Sequence, residues 1–307
     1  MSDTDPTSPA PLTDRLVARG FALAMGALGL LPYPRRIATA GAIARGLAPL
    51  IGWRKRIREN LALACPDLPP EEVARLTRAV PDNIGRSLAE IYAGPEFLAR
   101  VRDLPLTGPG AELLESLKAA GKPAVLVTGH YGNYDAWRGA LGQRGYPVGA
   151  LYRPMNNRAF NDAYVAAIQG IAGPMWPRDK RGMGQMLRHL REGGMVGLAI
   201  DQFFHIGARL TFFGQIANTP LSAAELALKY DAPLIPIFAR RLPDGLSFEI
   251  TVEAPIPSGT PEEMSQAFND RLEAQVRAHM EQWLWVHRRW KVWNHEEELA
   301  RARGEID

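Results

Sequence analysis

The stretch PAVLVTGHYGNYDAW, residues 123–137, decides the fold. It opens as a short apolar run rich in valine, the pattern of a strand buried on both faces. The run stops at Thr128, and His130 follows between Gly129 and a second glycine, Gly132. Asn133 is a helix N-cap type, which predicts a helix around Ala136–Arg144 with Asp135 in its first turn. Strand, polar loop and helix, in that order, are the start of a β-α unit.

The same alternation recurs downstream. PVGALYRP (147–154), MVGLAID (195–201), PLIPIFARRL (233–242) and LSFEITVEA (246–254) read as strands, the last two joined by a Pro-Asp-Gly hairpin turn. Helices are predicted over 157–170, 182–194, 220–232 and 261–285. Upstream, RKRIRENLALACPDLPPEEVARL (54–76) reads as a helix, a proline break and a helix from Pro70, with another over 79–92. The expected fold class is therefore α/β, a mainly parallel sheet covered by helices. In such sheets ligands bind beyond the carboxyl ends of the strands. His130, Arg153 and Asp201 all stand at such ends, so topology predicts that they converge.

The chain has 307 residues, 46% hydrophobic and 22% charged, enough for a sizeable core. Its single cysteine, Cys65, excludes an internal disulfide and fits a reducing compartment. The net charge is only +3, but Arg15 to Arg58 holds nine Arg/Lys and no Asp or Glu. A second basic cluster is His287-Arg-Arg-Trp-Lys291. Four tryptophans, Trp283, Trp285, Trp290 and Trp293, lie in and around it, a composition suited to a membrane interface or to core packing. No nucleic-acid motif is present.

Residues 1–11 read as a disordered lead and 12–55 as membrane-associated helices, ahead of a main domain over 56–300. Gly20–Pro34 is free of charge for fifteen residues, short of the roughly 20 that span a bilayer. An interfacial anchor is expected, with a marginal single span as the other option.

His130 and Asp135 suit base catalysis. A carboxylate that accepts Nδ1–H fixes the tautomer and leaves Nε2 free to take a proton from an alcohol. No G-x-S-x-G elbow, zinc-binding H-E-x-x-H or phosphate-cradling glycine loop offers a rival chemistry. A non-catalytic lipid-binding protein would not need both residues.

GHYGNYDAW, YRPMNN (152–157), DQ (201–202), FFGQIANTP (212–220) and QWLWVHRRWK (282–291) occur in one order, after RIRENLALACPDL (56–68). Together, over about residues 15–293, they resemble the bacterial lipid A late acyltransferases, within the wider H-x4-D/E lysophospholipid acyltransferases. The resemblance implies a glycerolipid-acyltransferase-like fold and transfer of a fatty acyl chain to a hydroxyl of a lipid A precursor or related glycolipid. A lysophospholipid or aminolipid acceptor is the alternative. It implies His130 and Asp135 as the catalytic pair, and Arg153, Asn133, Asp201, Gln202, Phe213 and Gly214 on the substrate side. The co-substrate would be acyl carrier protein thioester or acyl-CoA, with no metal or redox cofactor. The place of action would be the cytoplasmic face of the bacterial inner membrane. One departure stands out. The family often has another arginine some fifteen residues beyond its Y-R-P arginine, and here Ile168 or Gln169 occupies that place, leaving Arg158, Arg178 or Arg181 to compensate.

Overall fold

The computed structural model describes residues 11–155 and 157–291, with the side chain of Arg158 excepted. The lead up to Ala10, Trp293 and the end of the main domain lie outside the described residues.

Five helices come first: α1 (Leu12–Gly29), α2 (Tyr33–Leu47), α3 (Trp53–Ala64), α4 (Pro70–Ala93) and α5 (Pro95–Val101). The two helices expected between Pro70 and Tyr92 are one, because Pro81 is accommodated inside α4. That helix packs closely on α2. A Cβ on Gly85 would lie 2.5 Å from the carbonyl oxygen of Ala40, so only glycine lets the backbones meet. Among the described residues no helix is long and apolar enough to cross a membrane.

The strands and helices then alternate: β1 (Leu106–Thr107), α6 (Ala111–Ala119), β2 (Ala124–Thr128), α7 (Tyr134–Gln143), β3 (Val148–Tyr152), α8 (Arg158–Ile171), β4 (Met175–Pro177), α9 (Lys180–Arg191) and β5 (Met195–Ala199). A hairpin of β6 (Ala208–Phe212) and β7 (Gln215–Thr219) stands apart from the main sheet. The chain returns through α10 (Ser222–Lys229), β8 (Leu234–Arg241), β9 (Phe248–Val252) and α11 (Pro261–Ala278). The main sheet has seven strands in the order β1-β9-β8-β2-β5-β3-β4, parallel except for the β8–β9 pair. The α/β fold with a mainly parallel sheet is thus as the sequence predicts.

β2 is central and wholly buried. Val125 and Val127 join the core on one face, Ala124 and Leu126 the core on the other, as the two-residue period of a strand requires. This explains the uninterrupted apolar run, since there is no wet face to mark with polar residues. Helix α11 ends at Ala278, seven residues before the expected Trp285. The chain breaks there into a short 3-10 turn (Met280–Gln282) that delivers the next residues to the His130 loop.

Candidate active site

Strand register builds the centre of the site. In the parallel β2–β5 pair Thr128 lies opposite Ala199, so His130 and Asp201, each two residues farther on, come level. The His130 backbone N–H donates to Asp201 Oδ2 at 2.7 Å, and Nδ1 meets Oδ1 at 2.7 Å. A carboxylate only accepts, so the proton sits on Nδ1 and the Nε2 lone pair is left to accept. Trp283 Nε1–H donates to Oδ2 at 2.9 Å. Burial would push the Asp201 carboxyl up. The His130 charge, the His130 hydrogen bonds and the indole outweigh it and hold the group at about 2. Burial likewise works against a charged His130, but the Asp201 carboxylate prevails and raises the imidazole above its ordinary value.

Asp135 does not hold the imidazole, contrary to the spacing-based expectation. It sits one turn below Arg138 on α7, and its Oδ1 is taken by that guanidinium. Its Oδ2 is buried with no hydrogen-bond partner among the described residues. Burial is the larger influence and raises its pKa.

Asn133 is the N-cap, its Oδ1 accepting from the Asp135 N–H at 2.9 Å. Its Nδ2 donates to Glu90 Oε2 at 2.6 Å. Asn133 therefore shapes the loop and does not line the cavities beside His130. Glu90 is fully buried and pairs with Arg241 at 2.5 and 2.7 Å. Gly132 closes the loop against this framework. Its N–H donates to Gln282 O at 2.8 Å, and its carbonyl accepts from Asn83 Nδ2 and Ser87 Oγ, each at 3.2 Å. With φ at +59° and Ala239 O only 1.9 Å from where a Cβ would stand, no side chain fits. Gly132→Ala is expected to cost more than about 1 kcal/mol of stability. A lowered denaturation midpoint would register it; an unchanged one would show that the loop yields.

Two cavities meet at His130, Tyr134, Met155 and Tyr164. One, of about 260 Å³, lies over the ends of β2, β3 and β5. Asp135, Arg138, Arg153 and Gln202 line it, and Gln202 Nε2 lies 3.4 Å from His130 Nε2. The other, of about 270 Å³, runs beside α4 between Ile84, Leu88 and Ile91 on one wall and Trp283 and Leu284 on the other. His130, Arg153 and Asp201 thus converge as topology predicts. Among the described residues no group of three His, Cys, Asp or Glu side chains is placed to hold a metal ion.

Residues 16–292 match the family described as bacterial lipid A biosynthesis acyltransferase. The chain belongs to that family. A lipid A biosynthesis acyltransferase of Haemophilus influenzae is 29% identical over 58% of this chain, and the match covers 56% of that relative. A phosphatidylinositol mannoside acyltransferase of Mycobacterium tuberculosis is 24% identical over 82% of both chains. The lipid A biosynthesis lauroyltransferase of Escherichia coli is 23% identical over 78% of this chain and 79% of its own.

Within this acyltransferase several motif residues serve the framework. Phe213 and Gly214 form the β6–β7 turn, both at positive φ, and line neither cavity beside His130. Phe213 packs edge-on against Trp285 and Trp290. Trp283, Trp285 and Trp290 are buried, so these three rings are core and not an interfacial belt. Asn60, of the R-x-x-x-N-L segment, donates from Nδ2 to Trp285 O at 2.6 Å and His287 O at 2.8 Å, tying α3 to the tail of the site. Near Ile168 the buried guanidinium of Arg138, from α7, is taken up by protein acceptors. Arg138 Nη2 donates to Ala172 O at 2.7 Å and to Ile168 O at 3.4 Å. Neither Arg178 nor Arg181 lines the cavity. Sequence reasoning gave no site role to Arg138, Glu90 or Arg241, and singled out Trp283 without its bond to Asp201. Of the first three only Arg138 carried a local signal, an arginine three residues after Asp135 on the predicted helix.

Proposed function

We propose that this acyltransferase moves a fatty acyl chain from a thioester, that of acyl carrier protein first, to a hydroxyl of a lipid A precursor or related glycolipid. His130 acts as general base and Asp201 positions it. The observation that carries this reading is an imidazole fixed at Nδ1 by a buried carboxylate, with Nε2 facing the junction of two cavities.

The chemistry follows from that geometry. The acceptor hydroxyl gives its proton to Nε2 as its oxygen attacks the thioester carbonyl. Asp201 stabilises the imidazolium that forms. As the tetrahedral intermediate collapses, the C–S bond breaks and the imidazolium returns its proton to the leaving thiolate. No acyl-enzyme is required. A methylene chain suits the cleft beside Ile84, Leu88 and Ile91. It would be wasted against the unpartnered Asp135 oxygen, which calls instead for a hydroxylated acceptor headgroup near Arg138 and Arg153. A phosphatidylinositol mannoside acceptor is the second reading, favoured by the longer coverage of the mycobacterial relative.

The membrane contact is assigned to the N-terminal helices. Leu16, Leu23, Leu30 and Leu50 are exposed, Leu30 by 88%, among cations and few acids. We place them on an anionic inner-membrane surface, lying in the interface. Binding to vesicles with anionic lipid should weaken as salt rises. Leu16→Asp with Leu23→Asp should cut it at least tenfold, given about 1.5–3 kcal/mol per buried leucine. Equal sedimentation of parent and variant with vesicles would refute this placement.

The test of function is incubation of the purified protein with acyl carrier protein thioesters and three acceptors: lipid A precursor, phosphatidylinositol mannoside and a lysophospholipid. Mass spectrometry would read the products. An acylated glycolipid is expected; product on the lysophospholipid alone would name the other acceptor class, and no product at all would leave a lipid-binding role.

A further inference from the structure

A basic groove lies beside α4 at the carboxyl end of β8. It has a volume of about 590 Å³ and runs between α2, α4 and the β8–β9 turn. Arg45, Arg75, Arg78, Arg86, Arg240 and Arg241 line it, against two carboxylates, Asp82 and Glu281. Some of these cations are engaged. Arg86 holds Asp82 at 2.5 Å, Arg75 spans Glu72 and Glu281, and Arg240 and Arg241 pair with Glu249 and Glu90. Arg45 approaches Asp82 only to 3.8 Å and is half exposed. Arg78 is exposed and has no ion pair among the described residues. The proposed reaction uses none of these side chains.

The groove joins the apolar cleft that ends at His130. Asn83 and Gln282 line both, and Arg241 holds both of them. Its Nε–H donates to Asn83 Oδ1 at 2.8 Å and its backbone N–H to Gln282 Oε1 at 2.7 Å. A molecule extended over both would cross this shared boundary. It would carry an anion at one end, a slender polar arm across the Asn83–Gln282 sill, a carbonyl at His130 and a hydrocarbon chain beside Ile84 and Leu88. Guanidiniums suit a phosphate oxygen pair in the groove.

We propose that this groove binds the phosphate of the acyl donor's phosphopantetheine arm, the part that acyl carrier protein and acyl-CoA share. This rests on the donor being an acyl thioester. The groove then fixes how far the donor enters, and the arm sets the carbonyl against Nε2.

The test uses the full chain and the double variant Arg45→Glu, Arg78→Glu, both at exposed or half-exposed sites where folding is readily verified by circular dichroism. Calorimetry would compare S-octyl phosphopantetheine with S-octyl pantetheine, two thioethers that cannot react. The parent should bind the phosphorylated one at least tenfold more tightly, and the variant should lose that preference. Equal binding by the parent, or a preference retained in the variant, overturns the proposal. In transfer assays the variant's KM for the carrier-protein donor should rise at least tenfold with the acceptor's KM little moved. A change confined to the acceptor's KM would assign the groove to a phosphate of the acceptor and also overturn it. Selective phosphopantetheine binding without transfer to any acceptor would sustain the groove and sink the enzymatic reading, so the two failures are distinct.

Discussion

Replacing His130 by alanine is expected to lower acyl transfer by about 10²–10⁴-fold. Nε2 is the basic atom that faces the junction of the two cavities, and its contact with the Gln202 amide, at 3.4 Å, is long and weak. Gln202, its neighbour there, carries no base, and Asp135 has one oxygen committed to Arg138. His130 is partly exposed, and the loop that carries it is held by backbone bonds at Gly132 and Asn133, so the variant should keep its fold. The measurement is kcat with saturating donor and acceptor, beside a melting curve. A variant that melts like the parent and retains full activity would rule out base catalysis by this residue.

Replacing Asp201 by asparagine should cost nearly as much, about 10²–10⁴-fold, for a different reason. The amide has nearly the shape of the carboxylate but can donate as well as accept. It releases the imidazole from the Nδ1–H tautomer and no longer stabilises an imidazolium. The pH profile separates this from a merely structural effect. Only neutral His130 can accept a proton, so activity rises as pH climbs through its pKa. Asp201 holds that pKa above the ordinary value, so the parent's midpoint lies above about 6.5. Removing the carboxylate lowers the pKa, and the residual activity of Asp201→Asn should reach its plateau at lower pH. Asp135→Asn is the control, and its midpoint should move less. A larger shift from Asp135→Asn than from Asp201→Asn would return the orienting role to Asp135.

These two carboxylates also mark the limit of what the sequence discloses. The strands β2, β3 and β5 are legible because burial on both faces leaves a plain apolar run between turn residues. The N-cap at Asn133 is legible because side-chain capping is local. The convergence of His130, Arg153 and Asp201 follows from strand polarity alone. Which acid reaches Nδ1 does not. His130 and Asp201 are 71 residues apart, and only the register of β2 against β5 brings them level. The H-x4-D spacing points to the nearer acid, which the helix instead turns toward Arg138. The tryptophans show the same limit. Aromatic rings among cations read alike at a bilayer and in a core, and only the arrival of Phe212 beside Trp283 and Trp290 places these three inside. Helix α4 outlasts its Pro81 because tertiary packing on α2 overrides a local breaker.

The carboxylate that orients the base takes one of its hydrogen bonds from Trp283, and the loop carrying the base leans on Gln282. In the order of synthesis these two residues come about 150 positions after His130. The brace is therefore made well after the histidine and the aspartate that it supports. A chain cut short after α11 would lack the Trp283 hydrogen bond and the Gln282 contact that brace the base.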